Sequence, residues 1–238
     1  MTFHKITSQL DLLHQRGWGW QLGLAGVGLI SLGSLAAGLA YRGKMGEAYS
    51  PLNHFVSELG EVGVSELAWV FNIGLFVGGL CLVCFLLHLG KLIGGWLGAL
   101  FGLAGLACGI SGAMVGVFPM NNLSPHIFWA MNFFNLGLGL MVFFSLIALF
   151  GRHNLPRWLA APGVLGVAAF AAFLYTPAPA TEEIDTLAAA HAMMAAPRPA
   201  VWQMAVFEWA AVGSVLVWAA LVAGVLLART KRNNPDGS

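Results

Sequence analysis

Charged side chains make up only 9% of this sequence, ten acids and eleven bases in 238 residues. A soluble domain carries about a quarter of its residues as charges, so this depletion argues against a water-exposed surface. The net charge of +1 leaves no basic patch for nucleic acid, and no nucleic-acid partner is expected. Cysteine is scarce too: Cys81, Cys84 and Cys108 all fall within apolar runs, which excludes a disulfide framework. Cys81 and Cys84 form a C-x-x-C, but without a βαβ context they read as small buried hydrophobes in a helix. There is also no phosphate loop and no dinucleotide fingerprint.

What the sequence has is apolar length. Hydrophobic residues reach 58%, arranged in runs long enough to cross a bilayer, which needs about 20 residues per helix. Only helices or closed barrels satisfy their backbone in lipid, so the fold class is all-α, a polytopic six-transmembrane-helix bundle. The spans are expected at about 21–41, 67–89, 92–118, 126–150, 158–175 and 201–228. Trp18 and Trp20 mark one interface of the first span and Tyr41 the other. Gly38-Leu39-Ala40 resembles a signal-peptide cleavage site, but the apolar run exceeds a typical signal core, so an uncleaved span is preferred. Gly90 and Lys91 form a tight turn between the second and third spans, and Ser124-Pro125 start the fourth as cap and first helical residue.

Residues 1–17 carry Phe3, Ile6, Leu10 and Leu13 at helical spacing, a pattern suited to an interfacial segment. The domain organisation is thus 1–17 as a cytoplasmic interfacial segment, 18–228 as the six-span membrane domain, and 229–238 as a cytoplasmic basic tail. Basic residues set the orientation, because Lys and Arg accumulate on the cytoplasmic side. With the N-terminus inside, Lys5, Arg16, Lys91, Arg152, Arg157, Arg229, Lys231 and Arg232 are internal, against Arg42, Lys44 and Arg198 outside. Both termini are therefore expected in the cytoplasm, with the protein a multi-pass component of the inner (cytoplasmic) membrane.

The third span carries Gly94, Gly98, Gly102, Gly105, Gly109, Gly112 and Gly116 at steps of three or four, so they share one face. Small residues at that spacing let helix backbones approach closely, and this span reads as the central packing helix.

The chemistry gathers at residues 49–66, between the first two spans. A short interfacial helix from Pro51 to Leu59 is expected there, capped by Ser50 and ended by Gly60, with His54 and Glu58 on one face and Asn53 and Ser57 beside them. Asn121, Asn122 and His126 belong to the same side of the membrane. Glu208 lies about two turns into the sixth span, where a carboxylate is costly unless paired or hydrated, and Asn72 and Asn132 are further polar groups at membrane depth.

Three readings fit this set. His54, Glu58, His126 and Glu208 form a structural hydrogen-bond network. Alternatively they act on a lipid head group or ester, with His54 or His126 as general base, Ser57 as nucleophile and the acids orienting the imidazole. In the third reading His54, Glu58 and His126 bind zinc, although no local zinc motif is present, and no metal site is assigned. Asn53, Asn72, Asn132 and Glu208 are the candidate lipid- or ligand-binding residues. Histidine pairs suited to haem (His54 with His126, His88 with His153) sit at span ends, and the His191-to-Met194 stretch is explained by an Ala-rich loop. No cofactor is expected. No internal symmetry between halves suggests a transporter.

The order SPLNHFVSELG, then FNIGL (Phe71 to Leu75) with Gly78, then GISGAMVGVFP (Gly109 to Pro119), then His126, Ala130, Phe133 and Phe134, then FEW (Phe207 to Trp209), resembles a known set. It resembles the prokaryotic six-span family termed domain of unknown function 998. That family is similar to the eukaryotic superfamily of damage-regulated autophagy modulators, FRAG-type GPI-remodelling factors and SFK-type plasma-membrane lipid regulators. The resemblance implies six membrane helices, an outer first loop and a lipid-related role. Where those eukaryotic relatives read P-x-I-S-D, this chain has Phe55-Val56-Ser57-Glu58, keeping an acid at Glu58 and placing His54 where they have a more neutral residue. The functional expectation is an integral membrane protein that binds or regulates lipid at its outward face. Its alternatives are an accessory subunit of a larger membrane complex and a lipid-active hydrolase or acyltransferase; the partners implied are membrane lipids or such a complex.

Overall fold

The computed structural model describes residues 18–151, 155–176 and 198–233. The interfacial stripe of 1–17, the basic turn at Arg152 and His153, the acids Glu182, Glu183 and Asp185, and the stretch from His191 to Met194 lie outside the described residues.

Six long helices carry the fold: α1 (Trp18–Ala40), α2 (Ala68–Ile93), α3 (Gly95–Val117), α4 (Leu123–Phe150), α5 (Ala160–Tyr175) and α6 (Gln203–Asn233). Six helical segments are long and apolar enough to cross a membrane, the fourth and fifth extended by short 3-10 turns at their starts. Each helix packs chiefly on its neighbours in sequence, and α6 closes back on α1, so the bundle is a ring. Outward faces carry large apolar side chains such as Leu32, Leu39, Trp69, Leu103 and Leu165, as lipid-facing positions require.

The α2–α3 turn is tighter and later than Gly90-Lys91. Helix α2 continues to Ile93, and Gly94 (φ 74°) and Gly95 (φ 58°) make the reversal, in a left-handed conformation that only glycine adopts freely. Gly90 instead packs into the helix crossing, where an added Cβ would meet the Gly98 carbonyl at 2.6 Å. Further along, a Cβ on Gly105 would lie 2.7 Å from Leu86 Cβ, and one on Gly79 would lie 2.9 Å from Ala113 Cβ. Helix α4 starts at Leu123, ahead of Ser124, so Pro125 sits in its first turn, where a missing N–H costs no hydrogen bond.

Two apolar clusters fill the ring. The larger contains Trp20, Phe85, Phe101, Phe144, Phe170 and Trp218. Trp218 meets two of its rings edge to face, with Phe144 and Trp218 centroids 5.0 Å apart and Phe85 and Trp218 5.8 Å apart. The smaller cluster holds Ala37, Tyr41, Val56, Leu59 and Phe71 at the other end of the ring. Residues 49–66 plug that end.

Candidate functional site

The plug is not the α-helix that its sequence suggests. Pro51 follows Ser50 in a turn, with the Asn53 and His54 amides donating to Ser50 O at 3.1 and 2.9 Å. Phe55 is extended (φ −67°, ψ 150°), and a 3-10 helix then runs over Val56–Gly60. An α-helix through this stretch would send the Val56 N–H to Leu52 O. That carbonyl instead accepts the Trp202 amide at 2.7 Å, while the Val56 amide donates to Glu208 Oε2 at 2.5 Å. The Phe55 amide is taken by Glu58 Oε1 at 2.8 Å. Two carboxylates therefore cap the first amides of the 3-10 helix, one from within the plug and one from α6. Val56 and Leu59 are buried against the bundle, so the segment is an inserted plug and not a helix lying on the interface.

Contacts from several sides of the ring tie the plug down. Arg198, just before α6, donates from Nη1 to Glu58 Oε1 at 2.9 Å and from Nη2 to Glu58 Oε2, and Nη1 also reaches Asn53 O at 3.0 Å. Glu58 is fully buried, so this forked pair replaces the water a carboxylate would otherwise need. Asn53 Nδ2 donates to Pro199 O at 3.2 Å. Asn72 of α2 donates to Gly60 O at 3.0 Å. Asn121, between α3 and α4, accepts from the Val62 amide at 2.8 Å and donates to Val62 O at 2.9 Å. Trp209 Nε1 donates to Tyr49 Oη at 2.9 Å, and Tyr49 Oη donates to Phe55 O at 2.8 Å. Burial, and then the nearby carboxylates, push the Tyr49 phenol well above its ordinary range, so it stays protonated as that donor.

His54 is buried among the Tyr41 and Tyr49 rings, with centroids 5.3 and 5.1 Å away. Its Nδ1 lies 2.8 Å from Asn53 Oδ1, and its Nε2 lies 3.8 Å from Glu47 Oε1. Tyr41 joins the two halves of this cluster: its ring packs on His54 and its hydroxyl makes a long contact of 3.5 Å to Glu58 Oε2. Burial, followed by the Glu58 charge, raises the Tyr41 phenol above its usual range. Among the described residues no group of three or more His, Cys, Asp or Glu could hold a metal ion.

Behind the plug lies a cavity of ≈ 80 Å³, several times the ~10–15 Å³ that one water needs. Its walls come from α1 (Ile30), α2 (Leu75, Leu82), α3 (Gly109, Val115), α4 (Ala130, Phe134) and α6 (Val212, Leu216). From Glu208 to Leu216 it follows α6 for about 12 Å at 1.5 Å per residue. Phe134 belongs both to this lining and to the larger cluster, against which Leu82 also packs. At the plug end Ser57, His126 and Glu208 are its polar lining residues. Ser57 Oγ donates to Met120 Sδ at 3.3 Å, and His126 Nδ1 lies 2.8 Å from Phe118 O.

The eight residues singled out from sequence thus divide. Asn53, His54 and Glu58 belong to the clamp around Arg198, while Ser57, His126 and Glu208 line the cavity mouth. Asn72 supports the plug from α2. Asn132 lies apart from both, its amide donating to Phe128 O of its own helix at 2.7 Å. Arg198, Tyr41, Tyr49 and Trp209 were not expected as partners. The available signal for Arg198 was that it is one of only three basic residues assigned to that side of the membrane.

A family model described as "Protein of unknown function (DUF998)" matches residues 24–225. No curated protein and no solved structure matches the chain. With that match running from the first helix to the last, the chain belongs to the DUF998 family, here as an integral membrane protein built on six apolar helices.

Proposed function

We propose that this protein binds the hydrocarbon chain of a membrane lipid in its central cavity, beneath the 49–66 plug, at the outward face of the inner membrane. The observation that supports this is the cavity's asymmetry: its walls are apolar, and its polar side chains gather at the plug end. A hydrocarbon tail gains by leaving no void against such walls, while a head group requires hydrogen-bonding partners where it leaves water. The orientation is supported by the excess of Lys and Arg at the opposite end, as expected if both termini are cytoplasmic. Binding is preferred to acyl transfer because Ser57 Oγ is engaged by Met120 Sδ and Glu58 by Arg198, which leaves neither paired with a histidine.

The test is lipid analysis of the purified protein. Wild-type protein washed in mild detergent should retain a stoichiometric lipid, and Ala130→Phe, which fills the cavity from α4, should lose it while remaining monodisperse. Equal lipid content in the two proteins would refute the reading.

A further inference from the structure

We infer that the outward face of α4 is a contact between two copies of this chain, joined within the membrane by the carboxamides of Asn132 and Asn135. This goes beyond the lipid-binding reading and does not depend on it.

Helix α4 has two unlike faces. His126, Ala130 and Phe134 turn to the cavity. On the opposite side Phe128, Asn132, Asn135, Gly139, Val142 and Leu146 follow one another at steps of four and three, so they form one stripe. Phe128, Asn135, Val142 and Leu146 are exposed, and Asn132 is half-buried. In a bilayer this stripe meets hydrocarbon. At 1.5 Å per residue Asn135 lies ~18 Å from the start of α4 and ~22 Å from its end, close to the middle of the span. With a hydrocarbon core about 30 Å thick, so short a side chain at that depth reaches neither head-group region.

Each carboxamide is only partly satisfied within its own chain. Asn132 Nδ2 donates to Phe128 O and Asn135 Nδ2 to Met131 O, both at 2.7 Å. A backbone carbonyl only accepts, so these bonds fix which amide atom is the nitrogen. Each side chain retains its Oδ1 and a second N–H, and among the described residues neither makes a further hydrogen bond. Lipid offers no partner for these groups, whereas a facing helix does, which is how polar side chains join membrane helices. Gly139, one turn beyond Asn135, has nothing within 4 Å of its Cβ position, so a facing backbone can approach closely there.

The same geometry selects a second copy as the occupant. Copies of one chain insert in the same direction, so the two-fold axis relating a pair runs along the membrane normal. Their α4 helices then run parallel, and each residue of the stripe meets its own counterpart. A side chain that meets itself must be able both to donate and to accept, and a carboxamide does both. Helix α4 contains no Asp, Glu, Lys or Arg, so its face offers no charge for an unlike partner to match.

The experiment uses the full chain, labelled at its C-terminus with donor or acceptor fluorophore and mixed in phosphatidylcholine vesicles. Energy transfer should persist above the random-encounter level as lipid dilutes the protein. Asn132→Leu with Asn135→Leu, apolar replacements on a lipid-facing stripe, should weaken association about tenfold or more, while Asn135→Gln, which keeps a carboxamide, should weaken it less. A second measurement needs neither Leu variant. With Cys84, the exposed native cysteine, replaced by Ala, oxidation in native membranes should give a disulfide-linked dimer through Leu146→Cys but not through Leu103→Cys on α3. Transfer at the random level, or transfer unchanged in the double Leu variant, would overturn the inference. So would cross-linking through Leu103→Cys in preference to Leu146→Cys, or a Leu146→Cys adduct to a different protein in place of the dimer.

Discussion

The Glu58–Arg198 pair is the most exposed part of this account to experiment. Glu58 is 0% exposed, whereas the Arg198 side chain retains 25%. Removing the guanidinium in Arg198→Met strands a buried carboxylate, with the Phe55 amide and the distant Tyr41 hydroxyl as its remaining donors. Breaking a buried pair from one side costs about 3–5 kcal/mol, and the partial exposure of Arg198 places this case near the lower end, about 3 kcal/mol. Arg198→Lys keeps the charge but not the fork and should cost about 1–1.5 kcal/mol. The decisive comparison is Arg198→Met made in a Glu58→Gln background. The substituted amide oxygen would still accept the Phe55 N–H but leaves no stranded charge, so the same substitution should then cost under about 1 kcal/mol. Reversible unfolding in mixed micelles gives all four corners of the cycle. An Arg198→Met cost that is the same in both backgrounds would refute the idea that this ion pair holds the plug.

Other substitutions probe other contacts. Asn121→Ala removes both bonds to Val62 and should cost about 1–2 kcal/mol in the same unfolding assay. Gly105→Leu forces side-chain atoms into Leu86 at the α2–α3 crossing and should destabilise by more than about 3 kcal/mol, whereas the same change at Gly139, which has open space around its Cβ position, should cost under about 1 kcal/mol. A cysteine at Met45 should be labelled by a membrane-impermeant reagent in intact cells and one at Arg232 should not; the reverse pattern would invert the proposed orientation.

The six helices were legible because burial in lipid forces long apolar runs, and no tertiary contact can override that requirement. The plug was legible as a place but not as a shape. Residues 51–59 have the cap, the stop and the spacing of an α-helix, yet Trp202 takes the Leu52 carbonyl and Glu208 takes the Val56 amide. Those partners come from about 150 residues further along the chain, beyond the reach of local pattern reading. For the same reason Glu58 stood out as an acid without its counter-ion, since nothing near it in sequence points to Arg198. His126 and Glu208 were recognisable as polar groups at membrane depth, but that they share a cavity mouth with Ser57 follows only from how the ring closes.

The central claim is that a lipid tail occupies the space between Val115, Ala130 and Val212. Photoactivation of a diazirine-bearing lipid bound to the intact protein, followed by mass mapping of the adducts, tests it directly. Occupancy predicts adducts on those cavity residues, lost on addition of unlabelled lipid and in Ala130→Phe. Adducts confined to outward-facing positions such as Leu32 and Leu103, and insensitive to competitor, would contradict it.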